Sequence, residues 1–108
     1  MKLSELSLKL GLANVTKEIT DCEVTGCYIG DLLSWVMGRA QPGNIWITVQ
    51  TNVNILAVAT LTEVSAIVVP ENITVDLPTV SKAETQGINI LKSDKTSYEL
   101  AKAIGELI

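Results

Sequence analysis

Histidine and phenylalanine are both absent from this chain of 108 residues. The first absence removes the commonest general base, the commonest metal ligand and the usual pH switch near neutrality together. Any catalysis would have to rest on carboxylates, Lys, Tyr or Cys. The second absence, with aromatics at only 4% of the chain, means that the core is aliphatic. Basic residues are outnumbered, 8 Lys and Arg against 12 Asp and Glu, and no segment gathers them onto one face. A nucleic-acid partner would need a basic stripe to neutralise phosphates, so that class is excluded.

Long apolar runs are missing too. The most apolar helical segment is interrupted by Asn54 and Thr60, and Met1-Lys-Leu-Ser-Glu-Leu6 has no apolar h-region. Neither a membrane span nor a signal peptide is expected, which predicts a cytoplasmic protein. The sequons Asn14-Val15-Thr16 and Asn72-Ile73-Thr74 then read as chance matches. No G-x-x-x-x-G-K-[ST] loop is present, so phosphoryl transfer has no cradle. The two cysteines, Cys22 and Cys27, fall in a segment read as a single strand. Five positions apart there, they point to opposite faces and form no disulfide. They match only a fragment of an iron–sulfur spacing, and the expectation is one buried thiol and one near the surface, with no metal and no cofactor.

What the chain does contain is apolar surplus and a repeating grammar. Hydrophobic residues reach 47% with a mean hydropathy of +0.35, more than one small core should need. That surplus predicts a covered surface, most simply a two-fold homodimer, with Trp35 and Trp46 reading equally as interface anchors or as core packing. The order of elements reads α-β-α-β-α-β-α-β-α. Ser4 is placed to cap a first helix that Gly11 ends, with Leu6 and Leu10 inward. Residues 22–29 read as a strand, and Gly30-Asp31 opens a helix over 32–39 in which Leu32/Val36 and Leu33/Met37 stand one turn apart. Gln41-Pro42-Gly43-Asn44 has Pro and Gly where a type II turn wants them.

The strand 45–50 turns Ile45, Ile47 and Val49 to one face, and the helix starting near Asn52 is apolar almost all round, as if buried on both sides. A further strand spans 65–70. Asp76 and Pro78 start the next helix, Gly87 ends it, and a short strand covers 88–91. Thr96-Ser-Tyr-Glu99 is a capping box for a last helix with Leu100, Ile104, Leu107 and Ile108 inward. Strands alternating with helices predict a single small α/β domain over residues 1–108, with a largely parallel sheet flanked by helices.

Several stretches together, Met1-Lys-Leu-Ser-Glu-Leu6, Val24-Thr-Gly26, Gly30-Asp31-Leu-Leu33, Val36-Met37, Asn44-Ile-Trp-Ile-Thr-Val-Gln-Thr-Asn52, Asn54-Ile-Leu-Ala-Val-Ala59 and Ala66-Ile-Val-Val-Pro-Glu71, resemble the stand-alone DRTGG-domain proteins over essentially the whole chain. The resemblance implies the α/β fold of the N-terminal domain of HPr kinase/phosphorylase. It also implies a regulatory setting, since related copies are inserts in CBS-domain pyrophosphatases and stand-alone members are often encoded near hydrogenase or other redox genes. Gln50-Thr51-Asn52 replaces the family's Asp-Arg element and Val69-Pro70-Glu71 its Thr-Gly-Gly element, as in the hydrogenase-associated subgroup.

Ligands of open α/β sheets bind beyond the carboxyl ends of the strands, where helix N-termini present backbone N–H groups. Those ends hold Gly30, Asp31, Gln50, Thr51, Asn52 and Glu71, the candidate ligand-binding residues. Read as structure alone, Asp31 and Asn52 are helix caps and Thr51 a turn residue. The apolar surplus and these strand ends predict a non-catalytic regulatory or protein-interaction module, and the resemblance implies a redox enzyme of hydrogenase type as the system it serves. A small-molecule or nucleotide sensor is the alternative, and an enzyme using Asp31 and Glu71 is the weakest reading.

Overall fold

The runs Asn44–Ile47 and Ala66–Val69 show no polar alternation because both faces of each are covered, as happens in the middle of a parallel sheet. The computed structural model describes all 108 residues. In chain order the elements are α1 (Leu3–Leu10), β1 (Ala13–Asn14), β2 (Gly26–Ile29), α2 (Leu33–Arg39), β3 (Asn44–Ile47), α3 (Asn54–Thr62), β4 (Ala66–Val69), α4 (Leu77–Gln86), β5 (Ile90–Lys92) and α5 (Ser97–Leu107). The strands lie in the order β1-β5-β4-β3-β2; β2 to β5 are parallel and β1 runs antiparallel to β5.

Because four parallel strands follow one another in sequence order, right-handed crossovers place α2, α3 and α4 on one face. There Val36, Trp46, Ile55, Leu56, Ile67, Val69, Ala83 and Ile90 form one core. On the other face, Leu3 and Leu6 of α1 and Leu100 and Ile104 of α5 cover Ile45, Ile47, Val68 and Leu91. No helix is long and apolar enough to cross a membrane.

Several local readings change. The expected strand 22–29 shortens to 26–29, because residues 22–24 pair with the chain start instead: Leu3 N–H donates to the Cys22 carbonyl (2.8 Å) and Val24 N–H to that of Met1 (2.9 Å). Strand alternation therefore does not run from Cys22 to Cys27, and both free thiols pack against the same core, under α1 and α5. Strand β1 was not expected; its two residues are exposed and have no pattern of their own, and pairing with Leu91 and Lys92 makes them a strand. Ser4 does not cap α1. Its N–H and hydroxyl both donate to Asp21 (3.0 and 2.7 Å), and these bonds hold the Asp21 carboxyl below the usual range.

Helix α3 is not buried on both sides. Val53, Ala57 and Leu61, each four residues from the next, stand exposed because α3 belongs to an outer layer with solvent beyond it. Ile108 is exposed rather than inward, and Leu32 and Met37 are exposed on α2 and its start. Other signals match: Gly11 and Gly87 end their helices in the left-handed region, Asp76 starts α4 with Pro in its first turn, and Thr96 with Glu99 forms the capping box of α5.

Candidate functional site

Strands β2 and β3 are neighbours, with Ile29 opposite Ile47, so their carboxyl ends open on the same edge. Gly30 continues the pairing, its N–H donating to the Ile47 carbonyl (3.2 Å) and its carbonyl accepting the Trp46 indole N–H (2.9 Å). Asp31 follows. It does not cap α2: its Oδ1 accepts the Thr48 hydroxyl (2.8 Å) and the Val49 N–H (2.9 Å), tying the loop after β2 to the loop after β3.

Gln50 adds a second tie, donating from Nε2 to the Asp31 carbonyl (3.0 Å) and accepting at Oε1 from Asn52 Nδ2 (3.1 Å). Asn52 Oδ1 in turn accepts the Asn54 N–H (2.9 Å) ahead of α3. Thr51 reaches elsewhere, its hydroxyl donating to Asp76 Oδ1 (3.1 Å) at the start of α4. The structure thus brings Gly30, Asp31, Gln50 and Asn52 into one hydrogen-bonded group, with Thr51 linking it to α4.

Glu71 is not part of that group. It lies past β4 with a left-handed backbone, and its N–H donates to the Lys95 carbonyl (2.8 Å) beyond β5. Trp46, a candidate interface anchor, is fully buried, because its ring fills the core beneath α2 and α3 and its N–H has found Gly30. Trp35 is 54% exposed, with the Arg39 guanidinium 3.8 Å above its ring.

Two concavities mark the surface, and both lie at the opposite edge, near the amino ends of β4 and β5. One, of about 520 Å³, is lined by residues including Thr16, Lys17, Thr20, Ser81 and Glu84. The other, of about 240 Å³, includes Cys22, Thr60, Ser65 and Asn89. None of the sequence-predicted site residues lines either. The sequence holds no local signal for these grooves, since their walls come from segments dozens of residues apart that Asn89 joins by bonds to Thr20 and Ser65.

Burial pushes the Cys27 thiol up to about 11. Glu23 and Glu99 are held below the usual carboxylate range by hydrogen bonds, from the chain's terminal ammonium and from Thr96 respectively. No three acidic or cysteine side chains gather where they could hold a metal ion.

No family model and no curated protein matches the chain. Among solved structures, it is similar to the CBS and DRTGG domains of the regulatory region of Clostridium perfringens pyrophosphatase, crystallised with the activator diadenosine tetraphosphate. The TM-score is 0.73 over 94% of this chain. The fold is DRTGG-like. At 15% identity the likeness is one of fold alone, and this chain spans 45% of the length of that one.

Proposed function

We propose that the chain is a non-catalytic regulatory module that reads a small ligand of the nucleotide class at the carboxyl ends of β2 and β3. The observation that carries this reading is the joining of the two end loops by hydrogen bonds between Asp31 and Thr48, Val49 and Gln50, so that one ligand could touch both. The fold likeness supports it, because the similar chain is a regulatory region bound to a dinucleotide activator.

Residue-resolved NMR titration with diadenosine tetraphosphate and with ATP tests the reading. Amide shifts should centre on Gly30–Asp31 and Gln50–Asn52, and Thr51→Ala should weaken binding about fivefold or more while changing stability by only about 1 kcal/mol. Shifts confined to the groove at Thr16–Thr20, or none at about 1 mM ligand, would overturn it. A second reading, favoured by the exposed Leu32, Trp35 and Leu61, is a protein-interaction module for a cytoplasmic redox enzyme of hydrogenase type. It expects a redox subunit that copurifies with the natural protein and is lost in Trp35→Glu, with no response to nucleotide.

A further inference from the structure

The sheet has two edges, and they are finished differently. At one, β1 is only two residues long and antiparallel, too short to template a neighbour. At the other, β2 has no strand beyond it. The chain start covers that side only as far as Val24, through the pairing of Met1–Leu3 with Cys22–Val24. Past that point, Gly26-Cys27-Tyr28-Ile29 carries no charge and no proline. Proteins ordinarily guard an open edge with Lys, Pro, an inward charge or a covering element. Of the two flanking charges, Glu23 is bonded to the terminal ammonium and Asp31 is engaged by Thr48 and Val49.

Backbone alternation says which groups are free. Gly30 N–H donates to Ile47 across the β2–β3 pair, so the N–H and carbonyl of Ile29, and by the same alternation those of Cys27, face out of the sheet. Ile29 is 46% exposed on the α5 face, an apolar side chain at an apolar edge.

We propose that β2 pairs antiparallel with β2 of a second copy of this chain, joining two sheets across a two-fold axis at Tyr28. Cys27 then lies opposite Ile29 of the second copy, and the two exchange N–H to carbonyl bonds, four in all across the axis. Side chains meet like with like: Cys27 beside Ile29 on the α5 face, Tyr28 beside Tyr28 on the α2 face. Backbone partners favour this register over the next one back. Moving the axis to Cys27 would place Ile29 opposite Thr25 of the second copy, whose N–H already donates to the Gly43 carbonyl inside its own sheet, whereas the axis at Tyr28 pairs only Cys27 with Ile29, both with outward groups. A second copy also brings a matching open edge by construction, which any other protein would have to possess independently.

Sedimentation and amide hydrogen exchange test the pairing together. The expected result is a dimer that accumulates between about 1 and 100 µM, with the Cys27 and Ile29 amides exchanging about tenfold or more slowly at the upper concentration than at the lower. Ile29→Lys, which adds a charge to the edge, and Ile29→Pro, which deletes an outward donor, should both give a monomer with an unchanged circular-dichroism spectrum. Leu61→Lys, a charge on exposed α3, should stay dimeric. A monomer at every concentration would overturn the proposal. So would a dimer whose Cys27 and Ile29 amides exchange at the free rate, or one broken by Leu61→Lys and kept by Ile29→Lys. Should either Ile29 variant unfold, the exchange pattern of the unaltered protein decides alone.

Discussion

Gly43 shows how one backbone angle fixes a neighbourhood. Its φ of +83° completes the turn after Pro42, and a Cβ there would sit 2.6 Å from Thr25 Cγ2 and 3.2 Å from the Glu23 carbonyl. Thr25 cannot retreat cheaply, because its hydroxyl donates to Pro42 (2.7 Å) and accepts from Asn44 (3.3 Å). Gly43→Ala should therefore cost about 2–4 kcal/mol in urea unfolding, adding left-handed strain to overpacking. Gly38→Ala is the contrast, since it meets nothing within 4 Å on a helix and should be neutral or stabilise by up to about 1 kcal/mol. Cys27 gives the pH counterpart. Burial raises its thiol from an ordinary 9.0 to about 11, so between those values the unfolded chain loses a proton that the folded chain retains. Stability from this group is complete below pH 9 and falls as pH rises toward 11. Alkylation of Cys27 should likewise stay slow at pH 8 in the folded protein and accelerate on unfolding, as peptide mass mapping would record. Fast labelling of folded Cys27 at pH 8 would show that the thiol is not desolvated.

At the scale of elements, the signals read correctly were those decided within a few residues. Pro42-Gly43, Asp76 with Pro78, Gly87 and the Thr96/Glu99 box each carry their own backbone or hydrogen-bond reason, and each ends or starts the expected element. Strands β3 and β4 were legible because β-branched apolar runs bounded by turn residues have few other destinations. The misreadings arose where a distant partner overrides a local preference. Ser4 has the chemistry of a cap, but Asp21 reached α1 from 17 residues away and took both of its donors. Asp31 stands one residue before the expected helix 32–39 as a cap would, yet α2 begins only at Leu33, and Thr48 and Val49 claimed the Asp31 carboxylate from beyond the neighbouring strand. The convergence of Asp31 with Gln50 followed from the parallel order that βαβ units impose, and so was open to reasoning from sequence. The separation of Glu71 was not, because Lys95 holds its backbone from beyond β5. Trp46 failed for a simpler reason. A Trp among aliphatics reads equally as anchor or as core, and only its strand position under two helices decides.

The whole molecule has two apolar cores that share one sheet. Ile45, Ile47, Ala66 and Val68 face α1 and α5, while Trp46, Ile67 and Val69 face the other three helices, so alternate residues of the same short strands belong to different cores. Neither core can lose its strands without stripping the other, which makes a half-folded state with one core intact unfavourable. The expected behaviour is a single cooperative transition, as small domains usually show. Truncation tests the coupling directly. Leu100→Ala removes a fully buried side chain from the α5 core, and Leu56→Ala does the same in the α3 core. Each should cost about 2–5 kcal/mol. Because the two sites share no partner, their effects should add within about 0.5 kcal/mol in the double variant. Trp46 supplies a local probe, since it is buried wholly in the α3 core and a Trp35→Phe background removes the exposed indole. In that background, Leu100→Ala should move the Trp46 fluorescence midpoint and the far-ultraviolet circular-dichroism midpoint by the same amount, although Leu100 lies across the sheet from the indole. A Trp46 transition left in place while the dichroism midpoint falls would mean that the α1/α5 layer peels away on its own, and that the sheet does not bind the two cores into one cooperative unit.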